Sequence, residues 1–335
     1  MGQVEVKLSP REQALFDRVE RWRSACPLTD LSAEELRTIS QREGIAFATV
    51  LLYQCVRESA EHGEFIRRVE SYDGSIDLPL EISARLVIVP GAFYREFPHS
   101  GADGRLLQQT ARVLGIPIEV IPLRSFGSLK DNAAIIADWL QQNDAGSTVL
   151  VSLSKGSSDL KTALARPDAA DAFRSVRAWV SLSGIFYGTP IVSWLLSRRL
   201  RTWWYWFLLS LRGYDFGVVG EMDYDLHAPL AAEMHLPPHL QLIQVVGFPL
   251  ASHMTSPLAQ RMYRRIQHLG PNDGGGTLLA DVLRLPGAVY PVWSSDHYLR
   301  PAGRDMQHLM RAILYSLSGV PAATAFRAVT RGAER

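Results

Sequence analysis

The chain has 335 residues, 47% of them apolar and 21% charged, with a formal net charge of +1. That is the composition of a globular protein with a sizeable core, and the near-zero charge supplies no overall field for holding nucleic acid or an anionic membrane. Its two cysteines, Cys26 and Cys55, lack CxxC or Cys/His spacing, which argues against a disulfide scaffold and against a zinc site.

The opening MGQVEVKLSPREQ contains no apolar leader-like run, so a cytoplasmic location is expected. Gly2 is compatible with N-myristoylation, but Val6 stands where that signal wants Ser or Thr. Residues 1–80 read as a helical extension: Ser32 and Glu35 form a capping box, and GIAFATVLLYQCV places apolar residues at helical spacing. A helix-turn-helix around Gly44 fits the pattern, yet Asp30 to Glu70 holds eight acidic residues against five arginines, the wrong sign for a DNA-reading face. A helical segment packed against the main domain is the better reading.

From about Arg85 the texture changes to short, continuous apolar runs, the pattern of strands buried on both faces of a parallel sheet. They are Leu86–Gly91, Pro117–Leu123, Ser147–Ser154, Ala178–Gly184, Leu240–Phe248 and Ala288–Trp293. Helical patterns alternate with them: one from Ser128 with Ile135, Ile136, Trp139 and Leu140 on one side, one after Gly156, and one over 305–317. This alternation predicts a doubly wound α/β sheet over 81–320, with 321–335 as a tail.

A sharp strand-to-helix turn exposes its connecting residue at the carboxyl edge of the sheet, beside the positive end of a helix. Crowding requires small residues two before and two after the exposed one. In VLVSLSKGSSDL Ser154 passes, with Ser152 before it and Gly156 after it; Ser152 fails on Leu150, Ser157 on Lys155 and Asp159, and Ser183, further along, on Ile185. Ser152-Leu153-Ser154-Lys155-Gly156 resembles the nucleophile elbow of the α/β-hydrolase superfamily, particularly its lipase-like esterases, although Ser152 stands where glycine is usual.

The resemblance implies a Ser-His-acid triad in the chain order Ser, acid, His, with two backbone N–H groups for the oxyanion and no metal or organic cofactor. Val89-Pro90-Gly91-Ala92-Phe93 ends an earlier strand, as the oxyanion loop of these hydrolases does, with Pro-Gly where His-Gly is commoner. One donor would be the N–H of Lys155, the other that of Ala92 or of Phe93. His297, in Ser294-Ser295-Asp296-His297-Tyr298, follows the last strand, where the family keeps its base. Pro271-Asn272-Asp273-Gly274 resembles the Asn-Asp-Gly turn that carries the acid, although here SPLAQRMYRRIQHL intervenes after the strand. Asp273 is therefore the expected acid and Asp281 the first alternative; Asp296 points away from its neighbour His297 on extended backbone. Lys155 and Asp159, four residues apart on one helix face, are expected to form an exposed salt bridge.

Between the fourth and fifth strands, residues 188–236 hold four of the eight tryptophans between Trp194 and Trp206. In α/β-hydrolases this interval carries a helical lid. Arg198, Arg199 and Arg201 interrupt its apolar runs below the length of a membrane span, leaving a lid packed on its own domain, an interfacial helix or an oligomer contact. Phe93, Trp194, Trp203 and Trp204 are the expected substrate-binding residues, implying an ester or thioester with an apolar acyl or aromatic part. A thioesterase, an acyltransferase, a cyclase or a non-catalytic binding protein of the same fold would carry the same features.

Overall fold

The computed structural model describes residues 8–23, 27–72, 84–144, 146–229, 234–254, 256–300 and 306–317. Six strands form one sheet in the order β2-β1-β3-β4-β5-β6, parallel throughout. They are β1 (Arg85–Val89), β2 (Ile118–Val120), β3 (Thr148–Leu153), β4 (Val176–Leu182), β5 (Gln241–Phe248) and β6 (Ala288–Trp293), which are the six runs read from the sequence. The run predicted over Pro117–Leu123 forms only a three-residue strand. It lies at the sheet edge, and beyond Val120 the chain turns, with Pro122 lacking an N–H and the Leu123 N–H donating to the Ile121 carbonyl.

Alternate strand residues serve two cores. Leu86, Ile88, Val149, Val151, Ala178 and Val180 face one, and Val87, Val89, Leu150 and Trp179 face the other. The helices α6 (Leu129–Gln142), α7 (Gly156–Leu164) and α8 (Ala169–Ala172) pack together over the second core, while α5 (Arg105–Val113) and α14 (Met306–Leu317) pack on the first. The predicted caps form: Ser32 accepts from the Glu35 N–H and Ser128 from the Asp131 N–H.

Four helices precede the sheet: α1 (Pro10–Arg23), α2 (Ala33–Glu43), α3 (Ile45–Glu58) and α4 (Gly63–Glu70). They share the first core with it. Phe16 and Tyr53 meet the ring of Trp293 at 4.9 and 5.0 Å, at the end of β6. Glu12 accepts from the Trp293 indole N–H at 3.2 Å and pairs with His253 at 2.9 Å. In a helix-turn-helix, α3 would face DNA; instead its residues Phe47–Tyr53, Cys55 and Val56 are buried, which removes that reading. Cys26 lies outside the described residues.

Between β4 and β5 come α9 (Pro190–Leu196), α10 (Arg199–Ser210), α11 (Gly217–Gly220) and α12 (Tyr224–His227), and α13 (Pro257–Ile266) precedes β6. Among the described residues no helix is long and apolar enough to cross a membrane.

Strand order positions the site. From β1 the chain moves outward to β2, then returns to add β3 on the other side of β1. That reversal leaves a crevice at the carboxyl ends of β1 and β3, where open α/β sheets bind ligands. The loop after β1 is Pro90–Phe97, and the turn after β3 is Ser154–Lys155.

Candidate active site

Ser154 links β3 directly to α7, and its backbone has φ +48°, the left-handed region that a non-glycine residue enters only under constraint. The turn is held by the Ser154 N–H donating to Leu182 O and by Ser154 O accepting from the Ile185 and Ser157 N–H groups. Gly156 is needed because a Cβ there would stand 2.6 Å from the carbonyl oxygens of both Val89 and Pro90. β1 and the start of α7 thus approach closely enough to bring the loop after β1 beside the serine.

Ser154, Asp273 and His297 come together. The Ser154 hydroxyl lies 3.0 Å from His297 Nε2, and His297 Nδ1 lies 2.6 Å from Asp273 Oδ2. Asp273 Oδ1 accepts from the N–H groups of Gly275 and Thr277 at 2.9 and 3.0 Å, and the backbone N–H of His297 donates to Asp273 O at 2.7 Å. Gly275 leaves room for the ring, since a Cβ there would fall 2.0 Å from His297 Cγ. Asp281 is elsewhere: it accepts from the Tyr224 hydroxyl at 3.0 Å and faces Arg284. Asp296 closes the turn that carries His297 by accepting from the N–H groups of Tyr298 and Arg300.

Electrostatics follow from burial and these partners. Burial alone lowers the His297 imidazole, but the charge and hydrogen bond of Asp273, with help from Asp296, lift it above its ordinary value. Burial raises the Asp273 carboxyl, yet His297 and the two backbone N–H groups outweigh it and hold the group below its usual value. The pair is therefore poised as a carboxylate stabilising an imidazole that readily accepts a proton.

The loop after β1 carries a second positive-φ residue, Phe93 at +56°. Its N–H is committed to Ser125 O at 2.8 Å, whereas no backbone carbonyl among the described residues accepts from the N–H of Ala92 or of Lys155. Of the two loop donors left open by the sequence, Ala92 is the one still available. The Phe93 ring stacks on Phe126 at 4.5 Å and meets Tyr214 edge-on at 5.5 Å. Phe126 and Tyr214 also line a cavity of about 410 Å³, together with Arg95, Arg124 and Asp215.

Some neighbours escaped the sequence reading. Ser152 is more than a small residue, since it accepts the indole N–H of the buried Trp179 at 2.7 Å and shares a hydrogen bond with Ser157 at 2.8 Å. The Lys155–Asp159 pair is not on the surface as expected. The two side chains are 4% and 2% exposed and 2.6 Å apart, because their face of α7 turns toward α6. The second Asp159 oxygen accepts from Asn132 Nδ2 at 3.1 Å, and Asn132 also bonds both backbone groups of Arg124. Ser125, the next residue, holds Phe93. A polar chain thus runs from Lys155 through Asp159, Asn132 and the 124–125 backbone to the loop after β1. Burial lifts the Asp159 carboxyl to about 6 against the opposing effects of Lys155 and Asn132.

The tryptophans of 188–236 separate. Trp194 lies between the guanidinium groups of Arg201 and Arg265, 3.6 and 3.4 Å from its ring centroid. Trp203 and Trp204 are exposed on α10 and make their ring contacts with Phe207. Among the described residues no group of three or more His, Cys, Asp or Glu side chains is arranged to hold a metal ion.

No protein-family model matches the sequence, and no curated protein matches it. Solved structures do. A metagenomic carboxyl esterase superposes with a TM-score of 0.54 at 18% identity, over 71% of this chain and 76% of that one. The mature form of a Bacillus licheniformis lipase superposes with a TM-score of 0.52 at 19% identity, over 69% of this chain and 91% of that one. At such identities the likeness concerns the fold, which is the one expected: the chain has the α/β-hydrolase fold.

Proposed function

We propose that this chain is a serine hydrolase cleaving an ester or thioester through an acyl-enzyme on Ser154. The observation that carries the reading is the unbroken line from the strained Ser154 hydroxyl through His297 to the buried Asp273. His297 Nε2 takes the hydroxyl proton as Ser154 Oγ attacks the carbonyl carbon. Negative charge then develops on the carbonyl oxygen, held by the N–H groups of Ala92 and Lys155, each such donor being worth about 3 kcal/mol in the transition state. His297 returns the proton to the leaving group. Water, activated by the same imidazole, releases the acid.

Asp273 acts on the imidazole only, fixing its tautomer and stabilising the imidazolium. The polar chain behind Lys155 ties the turn that supplies one oxyanion donor to the loop that supplies the other. The stacked rings of Phe93 and Phe126 beside that loop favour an apolar or aromatic acyl part. A p-nitrophenyl ester series of increasing acyl length tests the reading: wild type should turn over these esters and Ser154→Ala should not. Equal turnover by the two proteins would remove Ser154 from the reaction.

A further inference from the structure

No residue of α10 takes part in the proton transfers or bond changes proposed above. None of its twelve residues is buried, although most are large and apolar. Of the thirteen exposed large hydrophobic side chains among the described residues, seven fall between Leu200 and Leu211, including Leu200 at 87%, Trp203 at 59% and Trp204 at 53% exposed. Such a cluster is far denser than the scattered apolar residues of an ordinary surface.

The segments of chain that carry it and the neighbouring α13 hold one sign of charge; the carboxylates next along the chain include Asp215, which accepts from the Gly217 N–H, Asp223, which accepts from the Ser193 hydroxyl, and Asp225 on α12. Residues 190–214 contain Arg198, Arg199, Arg201 and Arg212 and no carboxylate; residues 256–269, which include α13, contain Arg261, Arg264 and Arg265 and again none. α9 packs against both α10 and α13, and Trp194 on α9 is clasped by Arg201 and Arg265, which joins the two basic segments into one surface. Among the described residues none of these seven arginines forms an ion pair. The whole chain is nearly neutral at +1, so this is a local excess of cations beside a greasy helix.

We infer that α10 and the flanking arginines form a docking surface for an anionic lipid bilayer. Tryptophan, tyrosine and leucine on a short helix bury into the headgroup boundary, while arginines meet lipid phosphates and anionic headgroups. The helix lies on the surface, since it is far too short to span. A second copy of the chain is the poorer occupant. A two-fold interface sets the same patch against itself, and here that would face seven arginines with seven more. α9, on which α10 packs, starts beside the loop that carries Asp273: its cap Thr189 lies against Gly276. Binding itself does not depend on the proposed chemistry.

The test uses the full chain with Ser154→Ala, so that hydrolysis plays no part, and sedimentation with two kinds of vesicle. One is phosphatidylcholine alone; the other is equal parts phosphatidylcholine and phosphatidylglycerol. The protein should sediment with the mixed vesicles, with a blue shift of tryptophan emission, and be released by high salt; it should leave pure phosphatidylcholine largely unbound. Replacing the exposed Arg198, Arg199 and Arg212 by glutamate should weaken binding by at least about a hundredfold while leaving the unfolding temperature and near-ultraviolet dichroism unchanged. Trp203→Ala with Trp204→Ala should weaken binding and remove most of the emission shift. Equal binding to both vesicles, undiminished binding by the charge-reversed protein, or concentration-dependent self-association through α10 without vesicle binding would each overturn the inference.

Discussion

The Lys155–Asp159 pair offers a prediction whose size follows from its geometry. Both side chains are almost wholly buried, and among the described residues the side-chain hydrogen-bond partners of Asp159 are Lys155 at 2.6 Å and Asn132 at 3.1 Å. Lys155→Met keeps the volume of the stem but strands the carboxylate. Burial already lifts that group to about 6, and loss of the cation lifts it further. At pH 8 the variant must then bury an unpaired charge or take up a proton, at a cost of about 3–5 kcal/mol. Replacing both partners, Lys155→Met with Asp159→Leu, removes the stranded charge and should recover most of the loss. The sign with pH is fixed. A carboxyl whose folded value lies above its unfolded one contributes most stability below the unfolded value, near 4, and loses it as pH rises through the folded value. The deficit of Lys155→Met should therefore shrink between pH 8 and pH 4. Urea unfolding of wild type and both variants across that range is the assay. If the single variant lies within a few tenths of a kcal/mol of wild type at pH 8, the pair behaves like a solvated surface pair and the polar chain behind the oxyanion donors has no energetic basis.

Other outcomes follow from the same structure. Because Asp273 and Asp296 outweigh burial at His297, kcat/KM should fall on the acid side with a midpoint above the ordinary imidazole value of about 6.5, since only neutral imidazole can act as base. Asp273→Asn should move that midpoint down and cut kcat by up to about 10⁴-fold, read from the pH profile. Gly275→Ala places a Cβ on the His297 ring, 2.0 Å from Cγ, and should cost about a hundredfold in kcat, measured on a short-chain ester. Ser152→Gly restores the residue usual at such an elbow yet leaves the Trp179 indole N–H without its acceptor; thermal unfolding should show a loss of about 1–3 kcal/mol.

The sheet was legible because its strands are buried on both faces, so each reads as an unbroken apolar run that local sequence reveals. β2 was overestimated most, since Pro122 and the edge position cut short a run that looked equally apolar, while the runs of β1 and β4 overran their strands by two residues at the carboxyl end. Ser154 could be chosen from its neighbours because the turn excludes bulk at fixed offsets. Asp273 was legible as a turn, not as a distance: α13 lengthens the route from β5, yet the loop still returns to the edge of the sheet. What stayed hidden depends on which way a face turns. Spacing puts Lys155 and Asp159 on the same side of α7 but does not say that α6 covers that side, nor that Asn132 waits there. The partners of Trp293 and Trp179 are also distant in sequence: Phe16 and Tyr53 pack on one ring, and Ser152 bonds the other.

Everything proposed for the reaction depends on Ser154 being an activated nucleophile. Incubation with a fluorophosphonate probe, followed by peptide mass spectrometry, tests it without knowledge of the natural ester. A single phosphonyl adduct on Ser154 is expected, formed much more slowly in His297→Ala and absent in Ser154→Ala. A folded wild-type protein that stays unlabelled, or a Ser154→Ala protein that labels as fast, would contradict it.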